Sequence, residues 1–279
     1  MSTVPRISAL DRKKLDDIGS SRSYLNVASR IDDRLPARER LVTPSLQSGT
    51  PIENRLLAAL PRDEFRLLAG SLESVRYPKN RILYEAGDTM RHAIFINRGM
   101  ACVLAATDDC QTVEVGTVGK EGFIGVPLIL GADTACYRVI ARTRVEAVKV
   151  ESLVLREQFN RSDKLQQLLL HYTDVLETQT VQAVVCRVAH ILKQRVARWL
   201  LMTSDCLDLD AFKVTHVQMA TALGKHRNRV AVAVSELEKE RSIESERGSM
   251  RIVDREALKA VACECYRTLR EKMNSIGQV

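Results

Sequence analysis

Gly224 and the residues around it constrain the fold more than any other part of this chain. The run Thr215-His216-Val217-Gln218-Met219-Ala220-Thr221-Ala222-Leu223-Gly224-Lys225-His226-Arg227-Asn228-Arg229-Val230 reads as two short helices joined by a tight turn. Ala220 is small where two helix axes would cross, and Gly224 suits a turn that needs positive φ. Val217, Leu223, Val230 and Val234 are expected to fill the wedge between the helices. Beyond Gly224 the character changes: Lys225, His226, Arg227, Asn228 and Arg229 cannot all be buried. A helix that opens this way offers its first turns to a DNA major groove. The plainer alternative is a basic helical hairpin with no nucleic acid partner.

The continuation supports the first reading. Val230 to Ile243 remains helical, and the following stretch alternates around Arg247-Gly248, a hairpin signal. A helix pair followed by a two-stranded wing is a winged helix-turn-helix.

Upstream the texture is different. Val75 to Val150 carries short β-rich runs at 81–84, 93–96, 101–104, 112–115 and 144–150, with turns at Gly87-Asp88, Arg98-Gly99 and Asp108-Asp109. Many short strands at this spacing argue an antiparallel roll. Two short amphipathic helices precede it, at about 52–60 and 62–72. Residues 1–51 mix charge with Ser, Pro and Gly and read as a mobile extension, with a transient helix near Leu10 to Ile18.

From Ser162 the period becomes helical. Leu165, Leu169, Tyr172, Leu176, Gln179, Ala183 and Cys186 step by four and three, a heptad seam expected to pair with a twofold mate. Gln179 would set its register. The alternative is packing of this stripe on the roll, a role that Leu168 and Val175 are expected to fill. A second helix, about 189–202, leads into the DNA-binding part, with Val196, Trp199 and Leu200 as anchors. Ser204 to Asp210 reads as an acidic solvent-facing loop, and 255–270 as one last helix with Leu258, Val261, Ala262, Cys265 and Leu269 on its buried face.

The expected domains are thus 1–51 (extension), 52–160 (sensor roll), 161–188 (dimerisation helix) and 189–279 (winged helix-turn-helix). The fold class is α+β. The net charge of +7 tilts toward a polyanionic partner. No run is long and apolar enough to span a membrane, and the charged N-terminus does not read as a secretory signal, so the cytoplasm is expected. Seven scattered cysteines read as free buried thiols, not as a disulfide framework. Cys263-x-Cys265, with no histidine close in sequence, reads as a poor zinc motif. No nucleophile–base signature, phosphate loop or dinucleotide fingerprint is present, which argues against an enzyme.

Several motifs in fixed order resemble the Crp/Fnr family of bacterial transcription regulators. They are Leu56-Leu-Ala-Ala-Leu-Pro61, Leu83-Tyr-Glu-Ala-Gly-Asp88, Val118-Gly-Lys-Glu-Gly-Phe-Ile-Gly125, Arg195-Val-Ala-Arg-Trp-Leu-Leu-Met202, the helix-turn-helix, and Cys263-Glu-Cys-Tyr266. The resemblance implies an eight-stranded roll of the cyclic-nucleotide-binding type and a homodimer on an inverted-repeat operator in double-stranded DNA. RNA polymerase would be a further partner if the protein activates. By family position Arg227, Asn228 and Val232 would meet base edges. Lys225, His226, Arg229, Thr215, Gln218 and, more weakly, the wing residues Arg247 and Arg251 would meet phosphates.

The family's effector pocket would be formed around Gly122, Gly125, Val126 and Arg138. Its ribose-binding glutamate is replaced by Val126, and its phosphate-binding arginine-serine pair by Ala135-Cys136. Cyclic AMP is therefore not expected. The N-terminal cysteine set of the iron–sulfur branch is missing, since the first cysteine is Cys102. His92, His171 and His190 are not expected to ligate haem, and no cofactor or metal is expected. Cys186 in the seam suggests a thiol switch that cross-links the dimer helices. The rival reading is a redox or ligand sensor with a protein-binding output and a degenerate DNA-binding domain.

Overall fold

A computed structural model describes residues 51–106 and 112–276. All but the last residue of the expected extension over 1–51, the helix near Leu10 and the turn at Asp108-Asp109 lie outside these residues. Two short helices open the described chain, α1 (Arg55–Ala58) and α2 (Arg62–Ala69). Asn54 caps α1 through Leu57 N–H and donates from Nδ2 to the carbonyls of Ile96 (2.9 Å) and Gly122 (2.8 Å). One buried amide thus pins the helix to the strand of the roll that contains Ile96 and to the residue that precedes the strand Phe123–Ile124.

Among the described residues the roll has the eight strands that the resemblance implied: β1 (Glu73–Tyr77), β2 (Ile82–Tyr84), β3 (His92–Arg98), β4 (Ala101–Ala106), β5 (Thr112–Val118), β6 (Phe123–Ile124), β7 (Arg138–Ala141) and β8 (Val145–Glu151). They form two antiparallel four-stranded sheets, ordered β1-β8-β3-β6 and β2-β7-β4-β5. A one-turn helix, α3 (Val126–Ile129), follows β6. Phe95 stacks on Phe123 with centroids 5.3 Å apart, and Phe123 meets Tyr172 at 5.4 Å. Fully buried Ile96, Val139 and Val148 extend this core.

Helix α4 (Ser152–Arg161) leads to the long helix α5 (Asp163–Ala189), which Ser162 caps through Leu165 N–H. Both long sides of α5 are apolar, and the heptad stripe lies on the side opposite to that expected. Leu165, Leu169, Tyr172, Gln179 and Cys186 are buried by this chain alone, with Leu176 and Ala183 half-buried. Tyr172 lies over Gly122, where a Cβ would come within 2.3 Å of its ring. Gln179 accepts from Thr117 N–H (3.0 Å) and donates to Thr117 C=O (3.3 Å), so it satisfies the free edge of β5 as another strand would. The sequence-derived dimer seam is thereby corrected: it is the intramolecular stripe. Two positions further along, about 200° around the helix, the other face exposes Leu170, Val181, Val184 and Val188, with Ile191 beyond the helix end.

The C-terminal part begins with α6 (Leu192–Leu207), followed by β9 (Ala211–Lys213), α7 (His216–Leu223), α8 (Arg227–Lys239), β10 (Ile243–Glu246), β11 (Ser249–Ile252), α9 (Arg255–Val261) and α10 (Cys265–Asn274). Val196, Trp199 and Leu200 are buried as expected. Two expectations fail here. Ser204 to Leu207 is the last turn of α6, and Asp205 is buried under Arg255, the Tyr266 hydroxyl (3.0 Å) and Arg270 (3.5 Å). The expected single last helix is broken at Ala262, whose ψ of 149° leaves the helical region. No helix among the described residues is long and apolar enough to cross a membrane.

Candidate nucleic-acid interface

The turn between α7 and α8 is built as its residue types demand. Thr215 and Gln218 form a reciprocal capping box: Thr215 Oγ1 accepts from Gln218 N–H (3.2 Å) and Gln218 Oε1 accepts from Thr215 N–H (3.0 Å). This commits the two backbone amides but leaves the Thr215 hydroxyl proton and the Gln218 amide protons for another acceptor. Gly224 ends α7 in the left-handed region at φ +59°. Its N–H returns to the Thr221 carbonyl, and Lys225 N–H returns to Ala220.

Met219, Ala220, Ala222 and Leu223 of α7 pack with Val230, Ala233, Val234 and Leu237 of α8. Val217 does not join them: it is 43% exposed, because the α7 face opposite α8 is the solvent face. Arg195 donates to the Leu223 carbonyl (2.5 Å), tying α6 to the end of α7.

All of Lys225, His226, Arg227, Asn228 and Arg229 are exposed, and Val232 is 61% exposed one turn on. His226 is the N-cap of α8, its side chain makes no cap bond, and the first turn carries no acidic residue. The free N–H groups there point outward alongside three cations, an arrangement suited to an anion. Among the described residues no carboxylate pairs with Lys225, Arg227 or Arg229.

The wing is a tight hairpin. Glu246 pairs with Ser249, leaving Arg247 (φ +36°) and Gly248 (φ +83°) as its two-residue turn. Arg247 is exposed at the tip, whereas Arg251 faces Glu244 across the ladder at 4.0 Å. β11 also pairs with β9, so the wing is anchored to the strand before α7.

In the roll, Gly125 lies at φ +146° before α3, and Val126 is buried. Arg138 is held by Glu85 (Nε to Oε2, 2.7 Å) and is 9% exposed. All four residues of the expected effector pocket are thus committed within the fold: Gly122 lies under the Tyr172 ring, Gly125 against Ala93 and the Phe123 ring, Val126 is buried in apolar core, and Arg138 is ion-paired. Arg142 is likewise paired with Glu114, which also accepts from Trp199 Nε1 (3.1 Å), a contact between the roll and α6.

Sequence reasoning missed one grouping. Cys186 does not face solvent or a second copy; its sulfur is 3.5 Å from that of Cys263. Cys265 sits 3.6 Å from His190 Nδ1. The hydrogen bond with Cys263, together with the Arg198 charge, holds the Cys186 thiol below its ordinary value, while Cys263 is raised in turn. The signal that could have found this was Cys186-x3-His190, two ligand types one helical turn apart.

Comparison with known proteins fits this geometry. Residues 74–162 match the model of the cyclic nucleotide-binding domain, and residues 194–261 that of the Crp-like helix-turn-helix domain. No curated protein matches the sequence. Among solved structures, a Crp/Fnr family transcriptional regulator from Eubacterium rectale is similar over 74% of this chain and 96% of its own, at 15% identity and TM-score 0.59. The c-di-GMP responsive global regulator CLP from Xanthomonas campestris is similar over 69% and 99%, at 17% identity and TM-score 0.58. A CRP/FNR family transcriptional regulator from Thermus thermophilus is similar over 68% and 98%, at 21% identity and TM-score 0.57. A roll joined through a long helix to a winged helix-turn-helix defines a class: a sensor-type domain coupled to a DNA-binding unit. With both domain models matched in this order, the chain belongs to the Crp/Fnr family, and its architecture is that of a DNA-binding transcription regulator.

Proposed function

We propose that the protein is a sequence-specific regulator that binds an inverted-repeat operator as a homodimer, in the cytoplasm. The observation that carries this is the exposed, unpaired cationic first turn of α8. Arg227 and Asn228 supply the bidentate donors and acceptors that distinguish guanine and adenine edges, and Val232 offers an apolar contact to a thymine methyl. Lys225, His226, Arg229, Thr215 and Gln218 surround them as phosphate contacts, with Arg247 at the wing tip and Arg251 weakened by Glu244.

The dimer contact is the outward face of α5. Val181, Val184, Val188 and Ile191 step by three, four and three, and are 52%, 62%, 85% and 66% exposed. A stripe of this kind is self-complementary about a twofold axis, which makes a second copy of this chain its natural occupant. Twofold pairing would set the two α8 helices about 34 Å apart, one turn of duplex.

The roll supports α5 and is not a cyclic-nucleotide receptor. Its would-be pocket presents Val126 and Ala135 where a carboxylate and a guanidinium are needed, and Arg138 is already paired. Selection of bound sequences from a random duplex pool tests the reading, together with the mass of the complex. An enriched inverted repeat bound by two chains is expected. Val184→Glu should leave a folded monomer, with affinity reduced to that of one half-site. A dimeric Val184→Glu protein, or enrichment of a single asymmetric site, would overturn the proposal.

A further inference from the structure

We propose that Cys186, His190, Cys263 and Cys265 form a mononuclear metal site for a zinc-class divalent cation, which fastens the end of α5 to the C-terminal helices of the DNA-binding domain. One ligand atom from each residue lies within 4.8 Å of every other. Cys186 is on the last turn of α5. His190 is its C-cap, turned out of the helix at φ −114° and ψ 142°, so the two residues share one end of one helix. Cys263 lies in the break between α9 and α10 and Cys265 opens α10, with Glu264 between them. The break therefore has a purpose beyond ending a helix: it turns two alternate side chains toward the same point.

The spacing selects the kind of site. With metal–sulfur bonds of about 2.3 Å and metal–nitrogen bonds of about 2.0–2.1 Å, a tetrahedron has edges of about 3.6–3.8 Å. Two of the separations are 3.5 Å (Cys186 Sγ to Cys263 Sγ) and 3.6 Å (Cys265 Sγ to His190 Nδ1), and none exceeds 4.8 Å. A polynuclear iron–sulfur cluster would hold its sulfurs apart by its own diameter. A disulfide would use two sulfurs and leave the third, with the imidazole, unexplained.

The surroundings also fit. Glu264 Oε1 is 3.0 Å from His190 Nε2. A proton held there leaves Nδ1 as the lone-pair donor facing the sulfurs, the carboxylate–histidine arrangement of metal sites. Arg198 acts electrostatically on all three cysteines, and its buried Nε has no hydrogen-bond partner. A divalent ion with three thiolates and a neutral imidazole carries one net negative charge, which one guanidinium balances. Binding releases one proton for each thiol not already ionised. Three thiolates and an imidazole suit zinc over hard cations, and four protein ligands make the site closed and structural.

The site lies next to the DNA-reading unit. Arg187, between two of the ligands, reaches the Gly224 turn: a Cβ on Gly224 would lie 3.2 Å from its Nη2. Metal occupancy would therefore fix how α7 and α8 hang from α5. The metal site stands on its own geometry, whereas its effect on operator binding rests on the reading above.

Full-length protein purified under reducing conditions should carry one zinc per chain by elemental mass spectrometry. Cobalt(II) substitution should give the visible ligand-field bands of a tetrahedral thiolate site. Cys263→Ser and Cys265→Ser should abolish stoichiometric zinc, while Cys206→Ser, outside the cluster, should retain it. Glu264→Gln should lower zinc affinity about 10–100-fold in a chelator competition, as loss of such an orienting partner does. Octahedral cobalt bands, zinc retained in Cys263→Ser, or a Cys186–Cys263 disulfide in reduced wild-type preparations would overturn the site. Because metal content and the cobalt spectrum are read without DNA, failure of operator binding alone leaves the site intact.

Discussion

Cations in the roll and cations at the start of α8 are handled in opposite ways. In the roll Arg98 meets Glu53, Arg138 meets Glu85 and Arg142 meets Glu114, and Lys120 reaches Asp208 at the end of α6. Each stays where folding places it because a carboxylate of the same chain faces it. Lys225, Arg227 and Arg229 have no such partner among the described residues, although Glu236, Glu238 and Glu240 lie further along the same helix. Three unpaired cations against the positive end of a helix dipole raise the energy of the isolated protein slightly. A polyanion removes that cost, and releases its own counterions on doing so. Charge satisfied within the fold stabilises the fold, and charge left bare marks a surface for something else.

The contrast breaks first at Glu114. Glu114→Gln leaves the nearly buried Arg142 without its counter-charge, and should cost about 3–5 kcal/mol of stability. Chemical denaturation measures this directly, and an unchanged midpoint would contradict the pairing. DNA affinity per folded molecule should change little. The reverse pattern is expected at α8. Arg227→Ala should weaken operator binding by about 1–3 kcal/mol and relax preference at one base pair of each half-site, with little effect on stability. Arg229→Ala should weaken all duplexes alike and lower the salt slope by about one. Fluorescence polarisation across a salt series separates the two. Equal loss on every sequence for Arg227→Ala would remove it from the base-reading set.

What the sequence made legible follows the same line between local and non-local forces. Gly224 and the Arg247-Gly248 turn are specified within a few residues, and each lies where its chemistry puts it. The partner of an apolar stripe is not local information. α5 carries one stripe at Leu165 to Cys186 and another at Val181 to Ile191, and only the packed roll decides which is covered. Val217 shows the problem on a smaller scale: an apolar residue beside a helix pair, it faces solvent at 43% exposure. Asp205 looked like loop because nothing nearby announces Arg255, Tyr266 and Arg270, which arrive from 50 and more residues away. The cysteine–histidine cluster joins residues 77 positions apart, so Cys263-x-Cys265 alone looked incomplete.

The smallest effect sharpens the comparison with a carboxylate in place of a cation. Glu121 is buried in the turn between β5 and β6, where its Oε1 accepts from Gly119 N–H (2.9 Å). Burial raises its carboxyl above the ordinary range despite that bond and the nearby charges of Arg55 and Lys120. A carboxyl raised in the folded state binds its proton more tightly there than in the unfolded chain. It therefore costs no stability below the unfolded value, about 4.3, and costs progressively more as pH rises through the folded one. Glu121→Gln keeps an accepting oxygen and removes the charge. Melting temperatures of the two proteins should coincide in mild acid and diverge toward neutral pH, with the glutamine form the more stable. A glutamine form less stable at neutral pH would mean that Arg55 and Lys120 outweigh desolvation, placing Glu121 among the satisfied charges of the roll.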